Sequence, residues 1–210
     1  MGTKDNTYAN TGKRLYFLSD DVDNESIGQL TWNILHQLAE DDEKDKKEKD
    51  YKREPIKIYI NSYGGEVYDM WGLIDIIVNS KTPIYTYCTG YAMSAAFNIF
   101  LAGHKRYCYK HSTFMFHQPV CWISGKYTDI KEDMAEHDRM NEYIIRNILD
   151  RTYFKKEELD NIWEKNKIFI LIQKMLRNME LLMKFCKNEC GSERSIIIRN
   201  NKSKTLGYIF

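Results

Sequence analysis

Twice in this chain a short β-rich run ends in glycine and gives way to a helix-patterned segment, and that repeat constrains the fold more than any other feature. The first run, Ile56-Lys-Ile-Tyr-Ile, alternates as a strand does and enters Asn61-Ser-Tyr-Gly-Gly. Val67, Met70, Ile74 and Ile77 then recur at helical spacing. The second run, Pro83-Ile-Tyr-Thr-Tyr-Cys, is expected to break at Thr89-Gly90. A helix dense in small residues follows, Tyr91-Ala-Met-Ser-Ala-Ala-Phe-Asn-Ile-Phe-Leu-Ala. Strands joined through helices lie parallel, because the crossover returns the chain to the same end of the sheet. An α/β fold with parallel strand pairs follows.

The remaining segments extend this order. Leu15-Tyr-Phe-Leu reads as a strand. Ser26 and Gln29 have the spacing of a capping box, opening a helix with Ile27, Leu30, Ile34 and Leu38 in one apolar stripe. From Glu40 to Glu54 nearly every residue is charged, with the signs mixed, which reads as a solvated helix end or a loop. Two short strands, Arg106-Tyr-Cys-Tyr and Thr113-Phe-Met-Phe, precede a long helix from about Thr128 to Leu149. A single domain, residues 1–210, accommodates a chain of 210 residues.

Charge and composition narrow the partners. With 31 basic against 30 acidic residues, no global field draws the chain to nucleic acid or to an anionic membrane. No apolar run reaches about 18 residues and the N-terminus has no apolar signal core, so a cytoplasmic location without membrane contact is expected. Cys88, Cys108, Cys121, Cys186 and Cys190 show no CxxC pairing; free thiols, and no metal or cofactor, are expected.

Three features have chemical meaning. Ser94 is placed just inside the small-residue helix, where unpaired N–H groups favour developing negative charge, although such a helix also serves close packing. It does not sit in the G-x-S-x-G elbow, because Ala92 and Ala96 stand where the glycines would be. His117 follows the strand Thr113-Phe-Met-Phe, so its imidazole emerges where a strand ends. Gly64-Gly65 is either a plain tight turn or a source of N–H donors for an oxyanion.

Taken together and in order, four segments resemble the proteolytic subunit of Clp proteases, the ClpP family, over roughly residues 14–165. They are Pro55-Ile-Lys-Ile-Tyr-Ile-Asn-Ser-Tyr-Gly-Gly-Glu-Val, Thr89-Gly-Tyr-Ala-Met-Ser-Ala-Ala, Leu101-Ala-Gly and Met115-Phe-His-Gln-Pro. The resemblance implies a crotonase-like α/β fold of repeated β-β-α and β-α units, with a strand-helix handle at Cys121 to Leu149. It implies a serine endopeptidase with Ser94 as nucleophile, His117 as general base, and the N–H groups of Gly65 and Ala95 as oxyanion hole. It also implies two stacked heptameric rings of this chain, fed with unfolded protein by an ATP-driven Clp unfoldase, the subunit itself needing no cofactor. Two other readings are a catalytically silent ClpP paralogue in a mixed ring and a crotonase-like acyl-CoA enzyme.

The chain departs from the family at several points. Tyr63 replaces the usual proline before the glycine pair, Ala95 replaces a common methionine, the charged insert is long, and the N-terminal segment is short. The largest departure begins at Ile168, where the family carries the triad aspartate and, further on, Tyr-Gly. Residues 168–210 contain neither. One hypothesis for this departure is a single-nucleotide deletion near the codon for Lys167, the alternative being that the tail is native to the chain. Codons exist for Ile168 to Cys186 that, with one G restored ahead of them, read Asp-Phe-Tyr-Phe-Asp-Thr-Lys-Asp-Ala-Lys-Lys-Tyr-Gly-Ile-Ala-Asp-Glu-Ile-Leu, a family-like ending. Asp160 and Glu164 are the upstream carboxylates that remain as candidates to orient His117.

Overall fold

The computed structural model describes residues 14–164, 169–172 and 184–185. Its elements, in chain order, are β1 (Leu15–Leu18), α1 (Asn24–Lys47), β2 (Ile56–Ser62), α2 (Val67–Asn79), β3 (Ile84–Met93), α3 (Ala95–Ala102), β4 (Lys105–Cys108), β5 (Thr113–Phe116), α4 (Tyr127–Arg151), α5 (Lys156–Glu164), β6 (Phe169–Ile172) and β7 (Lys184–Phe185). Strands β1, β2, β3, β4 and β7 lie side by side and parallel, as the repeated strand-turn-helix pattern requires. β5 runs parallel to the far end of β3 and antiparallel to β6.

Alternation in β2 decides which face is the core. Ile56, Ile58 and Ile60 are buried and join Leu30, Ile34, Met70, Leu73, Phe97 and Phe100 of the helices in one apolar cluster. The opposite face has a ladder of rings, Phe17, Tyr59, Tyr87 and Tyr107, with successive centroids 5.4, 4.7 and 4.6 Å apart. α1 packs on α2, α2 on α3, and α3 on α4, so the helices form a continuous layer.

Four local expectations are revised. α1 is capped one turn earlier than the Ser26-Gln29 spacing suggests: Asp23 is the cap and Ser26 its reciprocal partner, with Ser26 N–H donating to Asp23 Oδ1 at 2.8 Å. β3 does not break at Gly90. Two steps along β2, from Ile60 to Ser62, face four along β3, from Cys88 to Ala92, and this bulge is filled by Asn61. The Asn61 Oδ1 accepts the Tyr91 N–H at 3.2 Å, and a Cβ at Gly90 would collide with that same oxygen, so glycine here serves close approach and not a turn.

The third revision concerns the charged run. α1 continues through it to Lys47, and Asp41 within it is fully buried. Its carboxylate accepts both Arg14 Nη groups (2.9 and 2.6 Å), the Tyr51 hydroxyl (2.7 Å) and the Thr82 hydroxyl (2.6 Å). Burial raises the Asp41 pKa, but hydrogen bonds from Arg14, Thr82 and Tyr51, with the Arg14 charge, outweigh it and bring the pKa down to about 2. Arg53 binds Asp42 and Asp45 beside it, each at 2.7 Å. The run is thus stapled to the ends of β1 and β3.

Fourth, the helix of the expected handle is present as α4, while residues 117–126 form no regular structure. A strand there has no neighbour in a single chain to pair its N–H and C=O groups. Val120 (88% exposed) and Trp122 (94%) stand out from this segment. Of the atypical tail, only the backbone of β6 and β7 falls within the described residues.

Candidate active site

Register brings the chemistry to one edge. Ser62 lies opposite Ala92, and Met93 lies opposite Met115. Three neighbouring parallel strands, β2, β3 and β5, therefore end together, and the next residues of each are Tyr63-Gly64-Gly65, Ser94 and His117 in turn. The carboxyl ends of parallel strands are where α/β proteins place their ligands, since the loops there are free of the sheet's ladder.

Ser94 is not inside a helix, as its sequence context suggests, but at the N-cap of α3, between the last residue of β3 and the first of the helix. Its φ is +51°, in the left-handed region that a side chain enters only at a cost of about 1–3 kcal/mol. The strained turn is pinned on both sides. Ser94 N–H donates to the Met115 carbonyl at 2.8 Å, and the Ser94 carbonyl accepts from Phe97 N–H at 3.1 Å. The chain thus reaches the geometry of a nucleophile elbow without its glycines.

Gly64 and Gly65 supply what those glycines would. Gly64 has φ +102°, and a Cβ there would lie 2.6 Å from the Met93 oxygen, 2.8 Å from Ser94 Cβ and 2.9 Å from Ala95 N. Gly65 has φ +151°, and a Cβ would strike the Val22 carbonyl. Val22 donates to the Gly64 carbonyl (2.8 Å) and accepts from Glu66 N–H (2.7 Å), a parallel bridge centred on Gly65. The Gly64 carbonyl faces Val22, and in the trans Gly64–Gly65 peptide the N–H points opposite to the C=O, so the Gly65 N–H is turned away from Val22. The Ala95 N–H belongs to the first turn of α3, where helix geometry leaves donors unused.

His117 is held relative to Ser94 by rings. Phe116, immediately before it, stacks on Phe97 of α3 at 5.7 Å and meets Phe154 edge-on at 5.6 Å. Ser94 and His117 both line a cleft of about 390 Å³, together with Gly65 and Ala95. Its floor is apolar, with Val67, Met70, Phe116, Met140 and Ile144. Its rim is acidic, with Glu66, Asp133 and Glu136; Glu136 is held down to about 2 by hydrogen bonds from Arg139 and then from Tyr68. Tyr63, where the family has proline, stands at this cleft with its ring 4.3 Å from that of Tyr91.

The cleft residues Asp133, Glu136, His137, Met140 and Ile144 were legible as one face of α4 by their helical spacing, but no local pattern turns that face toward Ser94. Asn98, also in the cleft, is the lone polar residue of α3. Among the described residues no carboxylate hydrogen-bonds His117, and Asp160 is engaged by Lys156 at 3.0 and 2.7 Å. The β5–β6 ladder ends with Phe116 opposite Phe169, bringing the start of β6 beside the residue that precedes His117. Ile168, the position expected for the family's aspartate, and the Glu164 side chain lie outside the described residues. Also among the described residues, no group of three or more His, Cys, Asp or Glu side chains is arranged to hold a metal ion.

A sequence model of the Clp protease family matches residues 6–172. Among curated proteins, the ATP-dependent Clp protease proteolytic subunit 2 of Synechococcus sp. (strain CC9605) is 34% identical over 142 residues, 67% of each chain. Proteolytic subunit 1 of Synechococcus sp. (strain CC9902) is also 34% identical, over 154 residues and 72% of each chain. Among solved structures, a point mutant of ClpP1 from Listeria monocytogenes superposes with a TM-score of 0.69 at 23% identity, covering 84% of this chain and 92% of that one, which carries the crotonase-like fold over. With fold and relatives in agreement, the chain belongs to the Clp protease family, as one of its proteolytic subunits.

Proposed function

We propose that this subunit hydrolyses unfolded polypeptides as a serine endopeptidase, with Ser94 as nucleophile and His117 as general base. The observation that carries this reading is the convergence of β2, β3 and β5, which delivers Gly65, the strained Ser94 and His117 to one cleft. His117 takes the hydroxyl proton as Ser94 Oγ attacks the scissile carbonyl carbon. The carbonyl oxygen becomes an oxyanion held by the N–H groups of Gly65 and Ala95. His117 then passes its proton to the leaving amine as the C–N bond breaks, and water releases the acyl group from Ser94 by the same steps in reverse. No cofactor enters this sequence.

By membership of the family, the working form is a pair of stacked heptameric rings of this chain, supplied by a Clp-type ATPase unfoldase in the cytoplasm. No helix among the described residues is long and apolar enough to cross a membrane. Exposed Val120 and Trp122 on the 117–126 segment, and Tyr127 and Met134 on α4, support burial of that region against a second copy.

One observation favours a second reading, a catalytically silent paralogue within a mixed ring: no described carboxylate reaches His117. Loss of the orienting carboxylate costs about 10⁴ in rate in the serine-protease template. Fluorophosphonate labelling separates the readings. A protease labels stoichiometrically, loses the label in Ser94→Ala and slows at least about tenfold in His117→Ala; an unlabelled wild-type chain supports the silent paralogue. The acyl-CoA reading has no support in the relatives.

A further inference from the structure

Helix α3 is apolar along its length except at Asn98, whose residue is 3% exposed. Its Nδ2 donates to the carbonyl oxygen of Ser94 at 3.2 Å, and its Oδ1 accepts from Nδ2 of Asn147 at 3.0 Å. Asn147, on α4 and 7% exposed, accepts at Oδ1 from Nε of Arg151 at 2.8 Å. An unbroken chain of hydrogen bonds therefore runs from Arg151 through two buried amides to the backbone of Ser94.

The direction of that chain is fixed by chemistry. An amide can face either way, but a guanidinium only donates. Arg151 makes Asn147 turn its oxygen outward, which aims Nδ2 at Asn98. Asn98 must answer with its own oxygen and is left with Nδ2 for Ser94. The Ser94 carbonyl then has three donors: the N–H groups of Phe97 (3.1 Å) and Asn98 (3.4 Å) and the Asn98 side chain. Ser94 is also one of the two described non-glycine residues with positive φ. Such a conformation persists where its surroundings over-determine it.

We propose that Asn98 and Asn147 are positioning residues. The Arg151–Asn147–Asn98 chain clamps the Ser94 peptide in its strained turn and so sets the approach of Oγ toward His117 and the oxyanion donors. This rests on the reading of Ser94 as nucleophile. Asn147 is not among the residues lining the cleft, so it acts through Asn98.

The test is Asn147→Asp, which keeps size and the Arg151 partner, removes the Nδ2 donor that serves Asn98 Oδ1 and, at 3.5 Å, the Asn98 carbonyl, and sets a carboxylate beside Arg151. The new carboxylate draws Asn98 Nδ2 to itself and leaves two oxygens, Asn98 Oδ1 and the Ser94 carbonyl, facing each other. The maximal rate of Ser94 modification by a fluorophosphonate is expected to fall about tenfold or more, given how steeply reactivity depends on alignment. Half-saturation should stay within about twofold, as the cleft lining is untouched. Asn98→Asp, which keeps the Asn147 bond and loses the one to Ser94, is expected to lower the maximal rate likewise, and that rate carries the test if Asn147→Asp does not fold; half-saturation is read only for Asn147→Asp, because Asn98 itself lines the cleft. An unchanged maximal rate in a folded variant overturns the positioning role while leaving the nucleophile assignment intact. Absence of labelling in the wild type overturns both.

Discussion

Ser94 is held at a φ of +51° between the end of β3 and the start of α3, its N–H bonded to the Met115 carbonyl of β5. Small residues around a serine suit close packing as well as chemistry, and only four motifs in order singled it out. What the sequence did not show is the +51° φ, because strain of that kind is imposed by the sheet register on either side and not by adjacent side chains. The same register explains why Gly64 must be glycine. Gly64→Ala would set a methyl against the Met93 oxygen and Ser94 Cβ in a conformation that side chains avoid. It is expected to lower Tm by several degrees and to abolish fluorophosphonate labelling, whereas Tyr63→Pro, the family's own residue, should retain labelling. Asn98 was visible as the one polar residue in an apolar helix, but its partner Asn147 lies 49 residues away and nothing local connects the two.

Helices and strands followed from periodicity, and their ends did not. α1 starts a turn early because Asp23, and not Ser26, provides the cap, and β3 runs through Gly90 because Asn61 of the neighbouring strand occupies the space a side chain would take. The charged run looked solvated because a mixed-sign stretch usually is; its one buried member is paired with Arg14, 27 residues earlier, and with Thr82, 41 residues later. Breaking a buried pair leaves an uncompensated charge, so Asp41→Asn is expected to lower stability by about 3 kcal/mol, or Tm by about 10 °C in a thermal melt. The pH dependence follows from a folded-state pKa of about 2 against an unfolded value of about 3.9. The unfolded chain binds the proton first as pH falls. The stabilisation, about 2–3 kcal/mol, is thus complete above about pH 5 and is lost as pH drops toward 2. Denaturant midpoints of the wild type should decline over that window, and Asp41→Asn should decline less.

Across the molecule, fold and family were legible because the parallel βα repeat and its glycine turns lie within residues 14–164, where sequence pattern and packing agree. Activity was less so, since it depends on where the chain after α5 leads. β6 begins opposite Phe116, and the family resemblance puts the orienting aspartate at position 168. Ile168→Asp is accordingly expected to raise peptide hydrolysis at least about tenfold, toward the loss attributed to a missing orienting carboxylate. A chain with the complete in-frame ending should raise it further. If neither changes the rate, the aspartate of this chain is elsewhere. Whether the sheet delivers an activated serine to His117 is decided by locating a fluorophosphonate adduct through peptide mass analysis. One adduct per chain, on Ser94, is expected; an adduct on any other serine, or none on a folded chain, would contradict that delivery.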